Sequence, residues 1–222
     1  MTSFRAYVRT NKKSFFPEDP VIPSSVKDLM YIHYDPRVTD LEDDSSSEYD
    51  SSSDDDEDLR SITYKRHMDE SEEEGLFTGK WMLFHDSSRI DIARGMTEHD
   101  YAWQFMFSLV DNYKNTSVSS ACCSTGYRGQ YPKMPNDTNG LICCFTKDYR
   151  DMGDVKRAAD SIRKSLHYPR DMHYKTDEAT VLGLYRCYGH KHVTIYKHKP
   201  DGSMYVRDKL YPLLWRPVKF DD

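Results

Sequence analysis

The chain is poor in the residues that mark the more recognisable kinds of chemistry. Five of its 222 residues are cysteine, and no two of them stand in a C-x-x-C or zinc-type spacing. A disulfide framework is therefore not expected, and neither is a metal site or a cofactor. Cys122, Cys123, Cys143, Cys144 and Cys187 read as small apolar residues of a reducing compartment. No apolar run nears the roughly 20 residues that span a bilayer. Met1 to Ser14 is polar and charged, so no signal peptide is expected either. These absences predict a cytoplasmic and/or nuclear protein with no membrane partner. A Gly-rich phosphate loop and a Ser-His-Asp order are also missing, and only three tryptophans occur.

Charge is abundant but unevenly placed. The net value of −6 conceals a segment, residues 40–74, with 16 acidic against three basic side chains. Residues 75–222 carry 22 Lys and Arg against 17 Asp and Glu, and are mildly basic. A stretch such as DLEDDSSSEYDSSSDDDEDLR cannot bury enough apolar surface to offset its ordering entropy, so 40–74 is predicted to be disordered. Ser45, Ser51, Ser52, Ser53 and Ser71 lie among its carboxylates, the setting an acidophilic kinase prefers. Residues 1–39 form an N-terminal arm, partly ordered at most. Its stretch Ser25 to Arg37 holds Val26, Leu29, Met30, Ile32 and Tyr34, which suits a short helix or an extended segment.

The organising stretch is Leu141 to Leu166. Leu141 to Phe145 is apolar on both faces, as in a covered strand. Asp151 stands three residues before Asp154 and opens a helix; both carboxylates suit its positive end. Val155, Ala158, Ala159, Ile162 and Leu166 make one stripe at spacings of three and four. Upstream, Gly79 to His85 has strand composition, Thr97 to Asp100 opens a second helix whose apolar face runs from Ala102 to Tyr113, and Ser117 to Cys123 reads as a strand. Downstream, Met172 to Tyr174, Val181 to Cys187 and Val193 to His198 read as strands. The last of these is joined through Pro200-Asp201-Gly202 to Met204–Arg207 as a hairpin. Strands with helices spaced among them predict one α+β domain over 75–222, a mostly antiparallel sheet with helices packed on one face.

The order of short motifs carries a resemblance. TGKWMLF at 78–84, HDYAW at 99–103, LICCFTKDYRD at 141–151, AADSIRK at 158–164, HYKTD at 173–177 and LGLYRCYGHKHVTIY at 182–196 together resemble the basophilic-leukaemia-expressed protein family, an uncharacterised eukaryotic family. The resemblance implies a curved sheet similar to the fold of the cap-binding translation initiation factor 4E. Thr176 departs from the proline that the family pattern has there.

Cap recognition of that kind needs two aromatic rings around a charged base. Trp81 on a predicted core strand and Trp103 on an apolar helix face read as core, which leaves Trp215 as the single candidate for an exposed stacking ring. Cap binding is therefore not inferred. The later strands do interleave cations with rings. Lys175, Tyr185, Arg186, His190, Lys191 and Lys197 are the candidate nucleic-acid-binding residues, because aromatic faces beside cations are what single strands stack on. The leading expectation is a non-enzymatic protein that binds RNA or a nucleotide. An alternative is a protein-interaction adaptor with a phosphorylatable acidic arm. A remoter one is a two-histidine phosphoesterase, from the triplets His85-Asp86-Ser87 and His192-Val193-Thr194. Phosphosite mapping in cells is expected to find the cluster Ser45, Ser51, Ser52, Ser53 and Ser71 modified; a map with none of them phosphorylated would reduce residues 40–74 to a spacer.

Overall fold

A computed structural model describes residues 6–7, 22–25, 31–34, 77–126, 138–186 and 189–220. The chain divides into two units, residues 1–37 with 77–222, and residues 38–76. The second lies wholly outside the described residues, as do the five candidate phosphorylation serines and Cys187.

In chain order the elements are β1 (Ala6–Tyr7), a 3-10 turn (Pro23–Ser25), β2 (Tyr31–Tyr34), β3 (Gly79–Asp86), β4 (Ile90–Asp91), β5 (Met96–Thr97), α1 (Glu98–Gln104), α2 (Met106–Asp111), α3 (Tyr113–Thr116), β6 (Ser120–Ser124), β7 (Asn139–Thr146), α4 (Met152–Leu166), β8 (Met172–Thr176), α5 (Asp177–Val181), β9 (Tyr196–His198), β10 (Met204–Arg207) and β11 (Trp215–Pro217). Among the described residues, nine strands form one sheet in the order β1-β2-β6-β7-β3-β8-β9-β10-β11. Every neighbouring pair in it is antiparallel. β4 and β5 make a separate small hairpin.

Register decides which side chains enter the core. Trp81 stands opposite Cys144 and Tyr174, Leu83 opposite Ile142, Ala121 opposite Cys144 and Tyr34. With Ile32, Cys123 and Tyr196 they form the buried side of the sheet. The helices that cover it bring Ala102, Trp103, Met106, Leu109 and Val110 from α1 and α2, and Val155, Ala158, Ala159 and Ile162 from α4. The four α4 residues are fully buried, as the predicted stripe requires. Asp151 caps α4 by accepting from Asp154 N at 3.0 Å, and His167 ends it in the left-handed region (φ 49°). Trp81 Nε1 donates to Val155 O across 2.9 Å, which ties the first turn of α4 to the middle of the sheet.

The predicted box at Thr97 is also present. Thr97 Oγ1 accepts from Asp100 N at 3.1 Å, and Asp100 accepts from Thr97 N at 3.3 Å. The Asp100 carboxylate accepts two further bonds, from Ser24 N at 2.8 Å and Ser24 Oγ at 2.7 Å, so a helix cap also anchors the N-terminal arm. Within that arm, Tyr31–Tyr34 is a strand laid along β6, with Ile32 and Tyr34 buried. The helix expected to run from Ala102 to Tyr113 is broken after Gln104 and again after Asp111.

The expected strand from Val181 is not formed. Thr176, which stands where the family pattern has proline, accepts from Ala179 N at 3.1 Å and starts α5 instead. Backbone bonds from Leu182 N to Glu178 O and from Leu184 N to Ala179 O then close the chain into turns through Leu184. α5 lies on the sheet side away from Trp81. There Lys80, 8 % exposed, pairs with Asp177 and donates to Thr180 Oγ1 at 2.8 Å.

The close approach of β3 to the Tyr174 ring gives a direct check. A Cβ on Gly79 would lie 2.5 Å from Tyr174 Cε1, and that ring is fully buried, with its hydroxyl 2.6 Å from Thr146 Oγ1. Gly79→Ala is expected to lower stability by about 1–3 kcal/mol through overpacking, read as a shift in the urea midpoint.

Candidate nucleic-acid interface

The sheet side opposite α1, α2 and α4 is set by the same alternation. β8 turns Tyr174 inward and His173 and Lys175 outward; β10 turns Met204 and Val206 inward and Tyr205 and Arg207 outward. In register, Lys197 on β9 stands between His173 and Tyr205, and Arg207 stands opposite Trp215. Five outward side chains therefore converge across four strands. Lys197 Nζ lies 5.0 Å from the centre of the Trp215 ring and 5.3 Å from that of Tyr205. The Arg207 guanidinium carbon is 4.2 Å from the Trp215 centre, and the His173 ring is 6.2 Å from it. Lys197, Arg207 and Trp215 are each partly exposed. A ring beside two cations on an accessible sheet face fits the face of a base together with its phosphate.

The individual charges behave differently. Burial pulls the His173 imidazole below its usual range, helped by repulsion from Lys197, Arg207 and Arg186. At neutral pH it is thus an uncharged ring. Arg207 is largely committed to its own chain: Nε donates to Thr194 O at 2.6 Å, Nη2 to Thr194 Oγ1 at 3.2 Å, and Nη1 to Pro212 O. Burial lowers its pKa somewhat, with the repulsion of Arg186 adding to the effect. Lys197 contacts rings and is the more adaptable cation.

The residues named from the sequence are distributed as follows. Lys197, Trp215 and Arg186 belong to this cluster or its electrostatic surroundings. Lys175 lies under the surface: it is 3 % exposed, with its ammonium 3.6 Å from the centre of the Tyr185 ring, which roofs it. The pair is a built stack rather than a phosphate contact, which corrects the expectation for Lys175. Tyr185 itself is 38 % exposed. His190 and Lys191 are exposed on the segment before β9, which meets the cluster where His192 Nδ1 lies 3.2 Å from Arg207 Nη1. The sequence reading missed His173, Tyr205 and Arg207. Their signal was the period-two alternation in Met172–Thr176 and Met204–Arg207, which assigns a face to each residue once the hairpin register is fixed.

The other candidate constellations do not converge. Trp81 and Trp103 are fully buried, so neither can join Trp215 around a base. His85 and His192 stand at opposite ends of the sheet, and His85 points to the helix side, 4 % exposed, with Nδ1 3.4 Å from Glu98 Oε1. His198 is fully buried with both nitrogens engaged, Nδ1 accepting from Arg163 Nε at 2.8 Å and Nε2 paired with Asp160 Oδ1 at 2.9 Å. Among the described residues no group of His, Cys, Asp and Glu is arranged to hold a metal ion. No helix among them is long and apolar enough to cross a membrane.

No family model matches the chain. No curated protein matches it either. Solved structures do. The chain is similar to C. elegans eIF4E-3 in complex with the 4E-binding protein Mextli and a cap analog, with a TM-score of 0.35 and 12% identity over 48% of this chain and 54% of that one. It is similar also to the complex of eIF4E-3 with Mextli, with a TM-score of 0.36 and 12% identity over 47% and 55%. The chain thus spans about half the length of the solved structures it matches. The architecture itself is α+β, an antiparallel sheet with helices, as the order of strands and helices predicts.

The buried histidines set an acid limit on the fold. Burial pushes His85 down against the opposing pull of Glu98, and it pushes His99 down as well. An unfolded histidine titrates near ~6.5, above both folded values. Stability is therefore full above that pH and falls as the pH drops through it toward the folded values. The urea midpoint should decline between about pH 7 and 5, and His85→Phe, which keeps a ring against Tyr168, should flatten the decline.

Proposed function

We propose that this protein is a non-enzymatic, single-strand RNA- or nucleotide-binding module of the cytoplasm or nucleus. The observation that supports the reading is the Trp215 ring with Lys197 and Arg207 within 5.0 Å of its centre, on the sheet face away from α1, α2 and α4. A base stacks on the indole, and its phosphate meets Lys197, with Arg186 and Lys191 supplying a wider positive field and His190 a further ring beside them. His173 and Tyr205 extend the aromatic surface beside that cation. One accessible indole supports stacking of a base without the paired rings of cap recognition. The likeness to eIF4E structures is one of fold, and the assignment rests on the side chains of this face.

The test is binding of the full chain to fluorescent single-stranded RNA, with capped and uncapped ends, across a salt series. Affinity should fall with salt with a log–log slope of about −2, for some three phosphate contacts. Loss of one stacked base in Trp215→Ala should weaken binding by about 1–3 kcal/mol, roughly 5- to 150-fold. Lys197→Gln should reduce the salt slope by close to one contact. Absence of binding at low salt, or unchanged affinity in Trp215→Ala, would overturn the reading, and a marked preference for the capped end would replace it with cap recognition.

A further inference from the structure

Beside this face the chain carries a feature that RNA binding does not use. The loop between β10 and β11 exposes four large apolar side chains in five residues: Leu210 at 82 %, Tyr211 at 61 %, Leu213 at 80 % and Leu214 at 54 %. Pro212 completes the run. Folded chains rarely leave so continuous an apolar tip in water without a use for it. The loop is also built to keep its shape. Asp208 Oδ1 accepts from Leu210 N at 2.8 Å and from Tyr211 N at 2.9 Å. Leu214 N donates to Tyr211 O at 2.8 Å, Asp208 N donates to Leu214 O at 3.0 Å, and Arg207 donates to Pro212 O. Much of the tip's polar backbone is thus satisfied from within, so the loop can leave water without orphaning those groups.

The chain flanking the tip is predominantly basic. Residues 186–220 hold eight Lys and Arg against two acids, Asp201 and Asp208. Asp201 lies in the β9–β10 turn, at the other end of these strands. Asp208 is 7 % exposed, and its carboxylate is taken up by the loop's own N–H groups and by Arg216. Lys191, Lys209 and Arg216 are exposed around the tip together with His190 and His192, the latter placed there by its contact with Arg207. Trp215, at the base of the loop, is half-buried, with the amphipathic ring that settles at a membrane interface.

We propose that Leu210–Leu214 and this basic collar form a docking surface for an anionic lipid bilayer. The apolar tip enters the headgroup region while the collar remains at the phosphate level, which supplies the two signals that peripheral attachment needs. Leu210 and Leu213 are each at least 80 % exposed. A bilayer receives so exposed a tip without prior complementarity, whereas a protein partner would need a matching acidic cleft. The expectation of no membrane partner followed from the lack of a spanning run, and the length of an apolar run does not report a surface loop of this kind.

The experiment is sedimentation of the full chain with vesicles of phosphatidylcholine alone and of phosphatidylcholine with about 30 mol% phosphatidylserine, at low and at physiological salt. Binding to the anionic vesicles is expected to exceed that to the neutral ones by at least about tenfold and to weaken with salt. The double variant Leu210→Asp, Leu213→Asp should lose it by tenfold or more while its circular dichroism and its affinity for single-stranded RNA stay unchanged; Lys209→Glu should give a smaller loss. No sedimentation with anionic vesicles at low salt would overturn the proposal, in favour of a protein at this loop. Equal sedimentation of the double variant would overturn it too, since charge alone would then explain the attachment.

Discussion

The fold depends on one side chain, Trp81. It lies on the central strand β3, fully buried between the sheet and α4. Its Nε1–H donates to Val155 O in the first turn of α4, which satisfies a donor that would otherwise be lost to the interior and sets the helix against the sheet. Its ring meets Tyr174 edge-on at 5.2 Å and His198 at 6.0 Å. Tyr174 then meets Tyr196 at 5.6 Å, and the Tyr196 hydroxyl donates to Tyr149 O in the connection before α4. The row runs across β3, β8 and β9, so the position of the later strands follows from the packing of one indole.

The row also explains why the outer face can carry cations. His198 is fixed from the helix side: Arg163 donates to its Nδ1, and Asp160, itself paired with Lys156, stands at its Nε2. The Arg163 guanidinium additionally donates to the carbonyls of Tyr168, Arg170 and His198. β9 is thereby fixed by its ladders to β8 and β10 and by its inward residues, while Lys197 faces the other side. On β3 and β8 the reverse holds. Lys80 and Lys175 are directly opposite each other, and each is buried, one against Asp177 and the other against Tyr185. Two like charges in register are tolerated because each has its own neutralising or polarisable neighbour. The accessible positive charge consequently shifts toward the β9–β11 end.

Local signals were legible where neighbours in the chain decide the structure. The α4 stripe, the caps at Asp151 and Thr97, the β7 run and the β9–β10 hairpin all rest on side chains a few residues apart. What depended on distant partners was not legible. Ile32 and Tyr34 alternate over too short a span to distinguish strand from helix, and only pairing with β6 settles the matter. Val181 to Leu184 was misread because its apolar residues suit a strand, while a single hydroxyl at Thr176 commits the chain to α5. For the candidate site, Lys197 and Trp215 could be named but not brought together. Their 5.0 Å separation arises from two successive antiparallel registers, β9 on β10 and β10 on β11, that no local window contains.

Arg207 joins the outer face to the exposed loop. One end of its guanidinium holds Thr194 O and Oγ1, another holds Pro212 O, and its central carbon lies 4.2 Å from the centre of the Trp215 ring. A planar group with a fixed fork of donors can do all three at once; a lysine cannot. The same contacts that orient the indole therefore also shape the apolar tip. Its donors are taken up by oxygens of its own chain, so its main contribution is to geometry. The attraction is left to Lys197 on the face and to Lys209 and Lys191 around the loop. A ligand on the indole and a surface at the tip would then share one support and the field of Lys191, but the ligand contacts Lys197 and the surface contacts Leu213, which is why variants at those two residues can separate them.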